Sequence, residues 1–204
     1  SAFARSNQEV ATYLQDSWRV KPGLLIETGI RADWDKLLSI WSPAPRFAMA
    51  WSPKRLPNTK FYGGASRIFD ASSLRLFTRQ LDQYTLATYF TPEGQIGRGP
   101  ALSLFSISAN RLYRPRYRNY TTGMEHYLPG RLAFRLEYLR RRGNEGFTYR
   151  NAYFAHDAPP PSWALERNAA TVDAVYTLDN FRRDSYDAVS FTVRQNIRRQ
   201  YEWL

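Results

Sequence analysis

The sequence contains no cysteine and only two histidines, His126 and His156, among its 204 residues. Without cysteine, the chain cannot form a disulfide framework or a thiolate metal site. The two histidines do not stand in a spacing typical of a metal site or a catalytic triad, so we predict structural or surface roles for both. Glycine-rich phosphate loops are also absent. The sequence therefore predicts a protein that is not an enzyme and that carries no metal and no other cofactor.

Long hydrophobic runs are missing as well. Hydrophobic residues make up 43% of the chain, yet the mean hydropathy is -0.56, and no stretch approaches the ~18 consecutive apolar residues that a membrane-spanning helix needs. A helical membrane protein is therefore excluded.

Basic residues, by contrast, are in excess. The formal net charge is +11, and of the 29 basic residues only four are lysines, so 25 are arginines. Arginine favours paired, planar contacts with carboxylates and phosphates. Such an excess suits nucleic acid, a polar barrel wall or anionic lipid headgroups, and the charge by itself does not choose among them.

The clearest pattern is an alternation of apolar and polar residues with a period of two, which is typical of strands with one apolar face. From Leu24 to Lys36, apolar side chains alternate with charged ones, and the same rule holds in three further segments, 46–52, 131–139 and 188–194. Short turns near residues 21–23, 53–58, 128–130 and 197–200 alternate with long connections near 37–44, 71–116 and 142–184. Short turns at one end and long loops at the other are typical of an outer-membrane β-barrel.

We therefore predict an all-β fold of antiparallel up-and-down strands that forms part of a transmembrane outer-membrane barrel. Residues 1–204 are expected to be one partial barrel domain of about eight strands. The predicted strands cover residues 8–20, 24–36, 45–53, 59–70, 117–127, 131–141, 185–196 and 200 onward. Residues 72–84 have near-helical apolar spacing and predict a short helix, and 103–110, 147–154 and 171–178 are expected to be extended.

In a barrel, the polar side of each strand faces the lumen and the apolar side faces lipid. The predicted lumen-facing polar wall consists of Glu27, Arg31, Asp33, Arg135, Glu137 and Arg194. The predicted lipid-facing set consists of Ile26, Ile30, Phe47, Met49, Leu132, Phe134, Leu136, Val189, Phe191 and Val193.

Aromatic residues make up 16% of the chain, and Trp and Tyr accumulate at membrane interfaces. The predicted interfacial aromatics are Trp18, Trp34, Trp51 and Tyr138, with ordinary core packing as the alternative. The arginine runs at 140–142 and 182–183 are expected at the outward end of the barrel, where they would meet anionic lipopolysaccharide or simply be solvated. The run at 198–199 is expected at the periplasmic end.

Several short motifs occur in an order that resembles the barrel of TonB-dependent transporters. The first is a hairpin in which Tyr13-Leu14-Gln15-Asp16-Ser17-Trp18 is followed by Lys21-Pro22-Gly23 and then by Gly29-Ile30-Arg31. Further matches are Pro45-Arg46-Phe47, Gly63-Gly64-Ala65-Ser66-Arg67-Ile68-Phe69-Asp70, Thr122-Gly123-Met124-Glu125-His126-Tyr127-Leu128-Pro129-Gly130 and Tyr186-Asp187-Ala188-Val189-Ser190-Phe191. The sequence looks most like the Oar-like subgroup, whose members carry a carboxypeptidase-regulatory-like domain.

This resemblance implies a bacterial outer-membrane location and energised uptake of a scarce, unidentified ligand. The partners it implies are outer-membrane lipid and lipopolysaccharide, a plug domain and TonB. Because no signal peptide, plug or C-terminal barrel strand is visible, we expect the chain to be a fragment whose plug and TonB contacts belong to the missing part. Nucleic acid is not expected as a partner.

Two other functions remain open at the level of sequence. A soluble basic β-domain that binds nucleic acid would interleave basic and aromatic residues on one exposed face. A soluble β-sandwich for adhesion or carbohydrate binding would bury its apolar faces against each other.

Overall fold

The computed structural model describes residues 4–151, 171–197 and 201–203, and most of them belong to one sheet. Ten strands and one helix follow along the chain as β1 Glu9–Lys21, β2 Leu24–Asp35, β3 Ile40–Trp51, β4 Thr59–Phe69, α1 Leu74–Asp82, β5 Tyr84–Phe90, β6 Ile96–Ile107, β7 Arg116–Leu128, β8 Leu132–Asn151, β9 Thr171–Ile197 and β10 Tyr201–Trp203. The sheet order is β1-β2-β3-β4-β7-β8-β9-β6-β5, and β10 pairs with the other end of β9.

Along the path β1-β2-β3-β4-β7-β8-β9, every neighbouring pair of strands is antiparallel. Short turns join β1 to β2, β3 to β4 and β7 to β8 at one end of the sheet, which we call the short-turn end. The opposite end, the loop end, carries the long segment 70–115 between β4 and β7. It also carries a four-residue turn at 36–39 between β2 and β3, where the predicted long connection over 37–44 was wrong because β3 begins at Ile40. Within the described residues the sheet does not close on itself, because β1 and β5 lie at its two ends. This arrangement confirms the predicted all-β fold class and fits a section of a barrel wall.

The strand boundaries agree with the predicted ones at the short-turn end and differ at the loop end. β3 begins at Ile40, inside a predicted loop, and β8 and β9 extend to 20 and 27 residues. The predicted helix is present as α1. β5 was not predicted, and β6 was expected only as an extended segment, so the described residues hold two strands more than the predicted eight. The proline run at 159–161, which predicts an exposed loop, lies outside the described residues.

Two prolines explain why β3 leaves β4 near the loop end. The ladder between β2 and β3 runs without interruption past Pro43 and Pro45, whereas the ladder between β3 and β4 stops at the pair Arg46 and Ser66. In an antiparallel strand, alternate N–H groups point to opposite neighbours, so the donors that these two prolines lack are those that would face β4. A cleft of about 640 Å³ lies at this divergence, with Ala44 and Ile68 among its lining residues.

The buried apolar core does not lie between the barrel-type strands. It lies at the loop end, where β6 pairs parallel to β9 and α1 packs beside β6. Its members are Ala101, Leu102, Leu104, Leu112, Ala174 and Leu178. Among the described residues no helix has the length and apolar character required to cross a membrane.

Candidate functional site

Direct cross-strand partners in an antiparallel sheet point to the same face, so the register assigns every side chain in β1–β4 and β7–β9 to one of two faces. One of them, the polar face, carries all six residues of the predicted polar wall. The opposite face, called the apolar face, carries all ten predicted lipid-facing residues and the four predicted interfacial aromatics. The structure thus groups the predicted sets as expected, while their contact with lumen or lipid stays a prediction.

The apolar face is not covered by other parts of the described chain. Leu14, Val189 and Phe191 are 74%, 72% and 66% exposed. A soluble sandwich would bury such a face against a second sheet, and monomeric soluble proteins rarely expose so large an apolar patch. The exposure therefore argues against the soluble sandwich.

A hydrogen-bonded cluster occupies the polar face near the short-turn end. The Tyr62 hydroxyl donates to Glu137 at 2.8 Å, and the Nε of Arg135 donates to the Tyr62 oxygen at 2.6 Å. Arg135 also contacts the Glu137 carboxylate directly and lies 3.8 Å from Glu125. Lys60 lies 3.7 Å from the same Glu125. Because these charges alternate in sign and share partners, the cluster is a connected network of hydrogen bonds and ion pairs and not an isolated acid and base pair.

Glycines allow large side chains of this face to lie flat across the neighbouring strand. The Tyr62 ring covers Gly123, where an added Cβ would lie 2.5 Å from the ring and 2.8 Å from the carbonyl oxygen of Leu136. The Tyr117 ring covers its direct partner Gly143, where an added Cβ would lie 2.7 Å from the ring. An aromatic ring that shields a cross-strand glycine in this way is a known stabilising arrangement in sheets.

Arg31 and Asp33, two members of the predicted polar wall, form an ion pair of 2.8 Å along their own strand. The Arg31 side chain is 62% exposed, so this pair contributes little to stability. The alternation in β2 predicts a solvated charge ladder of Arg31, Asp33 and Asp35 in place of acid–base catalysis. The exposed Arg31–Asp33 pair agrees with this prediction, but the prediction is wrong for Asp35, which is fully buried.

A buried polar knot joins three loop-end segments around Asp35, which is fully buried at the end of β2. Its carboxylate accepts hydrogen bonds from the backbone N–H of Leu38 at 2.8 Å and the Ser72 hydroxyl at 2.9 Å, and it forms an ion pair with buried Arg114. Burial acts to raise the pKa of Asp35, but the Leu38, Ser72 and Arg114 contacts outweigh it and hold this pKa below its ordinary value. The knot therefore holds the segments before α1 and before β7 against the β2–β3 connection.

Aromatic packing stiffens the loop end further. The Arg79 guanidinium of α1 lies 4.1 Å from the Phe105 ring centroid and 5.3 Å from that of Tyr149. The Tyr149 hydroxyl donates to the carbonyl oxygen of Leu76 at 2.7 Å, and burial raises the pKa of Tyr149 even though Arg79 acts in the opposite direction. The helix is thus attached to β6 and β8 by side chains from all three elements.

Within the described residues, no group of three or more acidic or histidine side chains could hold a metal ion. His126 lies beside the β7–β8 turn, where its Nδ1 is 2.7 Å from the Thr59 hydroxyl and its ring packs 5.2 Å from that of Phe134. His156 lies outside the described residues.

Residues 1–151 match the family described as TonB dependent receptor-like, beta-barrel. The chain belongs to this family. It is similar in structure to the siderophore receptor PirA from Pseudomonas aeruginosa, with a TM-score of 0.65 and 15% identity over 97% of this chain and 33% of that one. It is also similar to a G324V mutant of the ferric enterobactin receptor PfeA from the same organism, with a TM-score of 0.68 and 15% identity over 97% of this chain and 26% of that one.

A third similar structure is the outer membrane transporter YddB from Escherichia coli, with a TM-score of 0.65 and 16% identity over 93% of this chain and 22% of that one. The chain thus spans about a third or less of the length of these proteins. No curated protein matches the sequence. Membership of the TonB-dependent receptor family confirms the predicted outer-membrane location and barrel architecture, whereas the Oar-like subgroup stays a prediction.

The structure of this receptor barrel also shows residues that sequence reasoning missed. Lys60 and Tyr62 join the polar cluster, and extending the period of two into β4 would have placed both on the polar face. Trp41, in a predicted loop, is the direct partner of Trp34 on the apolar face. No local pattern links Asp35 to Arg114, since 79 positions separate them.

Proposed function

We propose that this chain forms part of the barrel wall of an energised outer-membrane transporter that takes up a scarce ligand, and that its role is transport and not catalysis. The observation that carries the proposal is the family match over residues 1–151 together with an apolar face that is exposed to solvent in the described chain. Residues 1–204 would then act as one partial barrel domain.

In this proposal the apolar face contacts lipid, and the four interfacial aromatics lie near its two borders. Trp18 and Trp51 lie within about three residues of the short-turn ends of β1 and β3. Trp34 lies at the loop end of β2. Between such borders, a strand of ~10 residues tilted by ~40° spans roughly 25 Å, the height of the apolar band of outer-membrane barrels. The aromatic positions on β1–β3 and β8 agree with a girdle at each border.

The polar face would line the barrel interior. The Tyr62, Arg135 and Glu137 cluster presents paired charges of both signs, which suits contact with a polar plug domain or with water. The plug and TonB are proposed as partners through parts of the protein outside this chain, and outer-membrane lipid and lipopolysaccharide as partners of the apolar face. The rigid loop-end assembly of α1, β5 and β6 would form part of the surface that receives the ligand from outside.

Uptake is tested in a bacterial strain that lacks the gene for the full-length protein. Ferric siderophores are the first probes, because two of the similar structures are named as siderophore and ferric enterobactin receptors. The proposal predicts that labelled ligand accumulates only when the gene is restored, and that accumulation stops when the proton gradient is collapsed. Accumulation that persists without the gradient would contradict energised uptake.

The assignment of faces is tested separately by single-cysteine labelling, since the chain has no cysteine of its own. In the full-length protein reconstituted in vesicles, cysteine at Val189 on the apolar face should resist a water-soluble maleimide. Cysteine at the neighbouring Ala188 on the polar face should show no protection by lipid in the folded protein. Equal protection at both positions by lipid would contradict the assignment.

A further inference from the structure

Arginines accumulate on the apolar face at one level of β4, β7, β8 and β9. Arg67, Arg118 and Arg142 are direct cross-strand partners, so three guanidinium groups stand side by side on three adjacent strands. Arg140 lies two residues before Arg142 on the same face, and the alternation of β9 places Arg183 on that face as well. We call these five residues the arginine row.

The arginine row is undercompensated in charge. Asp187 is its acidic neighbour, and this carboxylate lies 2.7 Å from Arg142 and 3.8 Å from Arg140. Arg67, Arg118 and Arg183 have no carboxylate within ion-pair distance among the residues that the structure describes. Like charges directly opposite each other destabilise a sheet. An anion bound to the arginine row from outside the chain would relieve this repulsion.

Its level in the sheet indicates where that anion comes from. From the short turn at Gly130 to Arg140 the chain advances about ten residues, or roughly 25 Å of height for a tilted strand. The apolar-face positions of β8 between them, Leu132, Phe134, Leu136 and Tyr138, carry no charge. The arginine row therefore lies where the apolar band ends on the side of the loops, beside the Tyr138 hydroxyl, which donates to Asp187 at 2.7 Å.

We propose that the arginine row binds the phosphate groups of a phosphorylated glycolipid of the outer leaflet, the lipid A part of lipopolysaccharide. This inference rests on the proposed function, because it requires lipid at the apolar face. Guanidinium groups bind phosphate oxygens in a bidentate manner, and spacing on adjacent strands places them ~5 Å apart, close enough for one phosphate to contact two of them. The acyl chains of the same lipid would lie along Leu136 and Val189 below the row.

The test measures lipid retained by the full-length protein purified in detergent, with bisphosphorylated lipid A as the probe and native mass spectrometry as the readout. The test variant is R67Q/R118Q, since neither side chain has a carboxylate partner to lose. The matched control is R55Q/R131Q, which removes the same charge from the turns at the short-turn end. We expect affinity for lipid A to fall by about tenfold or more in R67Q/R118Q, because two charge-assisted hydrogen-bond donors are lost, and to stay unchanged in the control.

Three outcomes would overturn the proposal. Equal retention of dephosphorylated lipid A would show that acyl chains alone bind. Displacement by inorganic phosphate at equal molarity would show a site for the free anion and not for a lipid. Equal loss in both variants would show a general effect of net charge. The uptake assay distinguishes this inference from the proposed function, because R67Q/R118Q is expected to transport ligand normally even where lipid A retention is lost.

Discussion

Introducing an arginine on each face of the sheet at the same depth tests which face meets lipid. Ala65 lies on the apolar face between Phe47 and Tyr120, and Ala48 lies on the polar face between Glu27 and Gly64. Ala65 is six residues from the start of β4 at Thr59, which corresponds to roughly 15 Å above the short-turn end for a strand tilted by ~40°. This height is near the middle of the hydrocarbon layer.

An arginine on the lipid side at that depth costs about 2–4 kcal/mol, and the cost falls toward the interfaces. A65R should therefore lower the free energy of unfolding by about 3 kcal/mol, a change of roughly 150-fold in the folded-to-unfolded ratio. A48R should change it by about 1 kcal/mol or less, because its new guanidinium faces the polar side beside Glu27. The two variants make the same chemical change, so their difference isolates the environment of each face.

The assay is a denaturant titration of the full-length protein folded in phospholipid vesicles, followed by tryptophan fluorescence. The linear dependence of unfolding free energy on denaturant gives the difference between A65R and A48R from their midpoints. If the two variants lose equal stability, or if A48R loses more, the assignment of the apolar face to lipid is wrong.

Three further predictions concern the glycines and the buried knot. G143A should lower the free energy of unfolding by about 1–3 kcal/mol because its new Cβ would clash with the Tyr117 ring. In the same titration, Y117A/G143A should recover part of this loss. If nothing is recovered, the Tyr117 ring is not the cause. D35N should destabilise the loop end by about 3–5 kcal/mol, since it leaves the buried Arg114 charge without a carboxylate. Limited proteolysis of the segment before β7 should then become faster. Unchanged cleavage would contradict the role of the knot. Because the folded pKa of Asp35 is lowered, the knot contributes stability above the ordinary Asp pKa of about 3.9, and this contribution is lost as the pH falls through the folded pKa. Proteolysis of the unsubstituted protein should therefore accelerate below about pH 4, and D35N should abolish that dependence.

The strands near the short-turn end were predictable because two local signals coincide there. A side-chain period of two reveals each strand, and tight turns such as Lys21-Pro22-Gly23 mark where it ends. These signals depend on residues that are close in sequence, so β1, β2, β4 and β7 were predicted to within about two residues.

The loop end was less predictable because its strands depend on distant partners. β6 pairs parallel to β9 about 70 positions further along the chain. Its consecutive residues Ala101 and Leu102 are both buried, so this part of β6 lacks the alternation that marks a barrel strand. β3 begins at Ile40, five residues before its predicted start at residue 45. Pro43 and Pro45 are tolerated in this strand because their missing N–H groups lie on the side that faces no partner.

The residues of the candidate site also fall into predictable and unpredictable groups. The alternation within each strand was enough to assign Glu27, Arg31 and Arg135 to the polar side and Phe134 and Phe191 to the apolar side. The contacts of Tyr62 with Arg135 and of Asp35 with Arg114 join residues 73 and 79 positions apart, and no single strand contains both partners.

By itself, the sequence determined that this protein is built of amphipathic strands, which side of each strand is apolar, and at which end the tight turns lie, because each of these properties arises from neighbours along the chain. Only the tertiary structure decided the pairing of β4 with β7 across residues 70–115, the parallel addition of β6 to β9, the buried knot at Asp35 and the alignment of Arg67, Arg118 and Arg142. The physical reason is that register between strands sums many weak cross-strand interactions, and side chains become partners only when that register brings distant segments together.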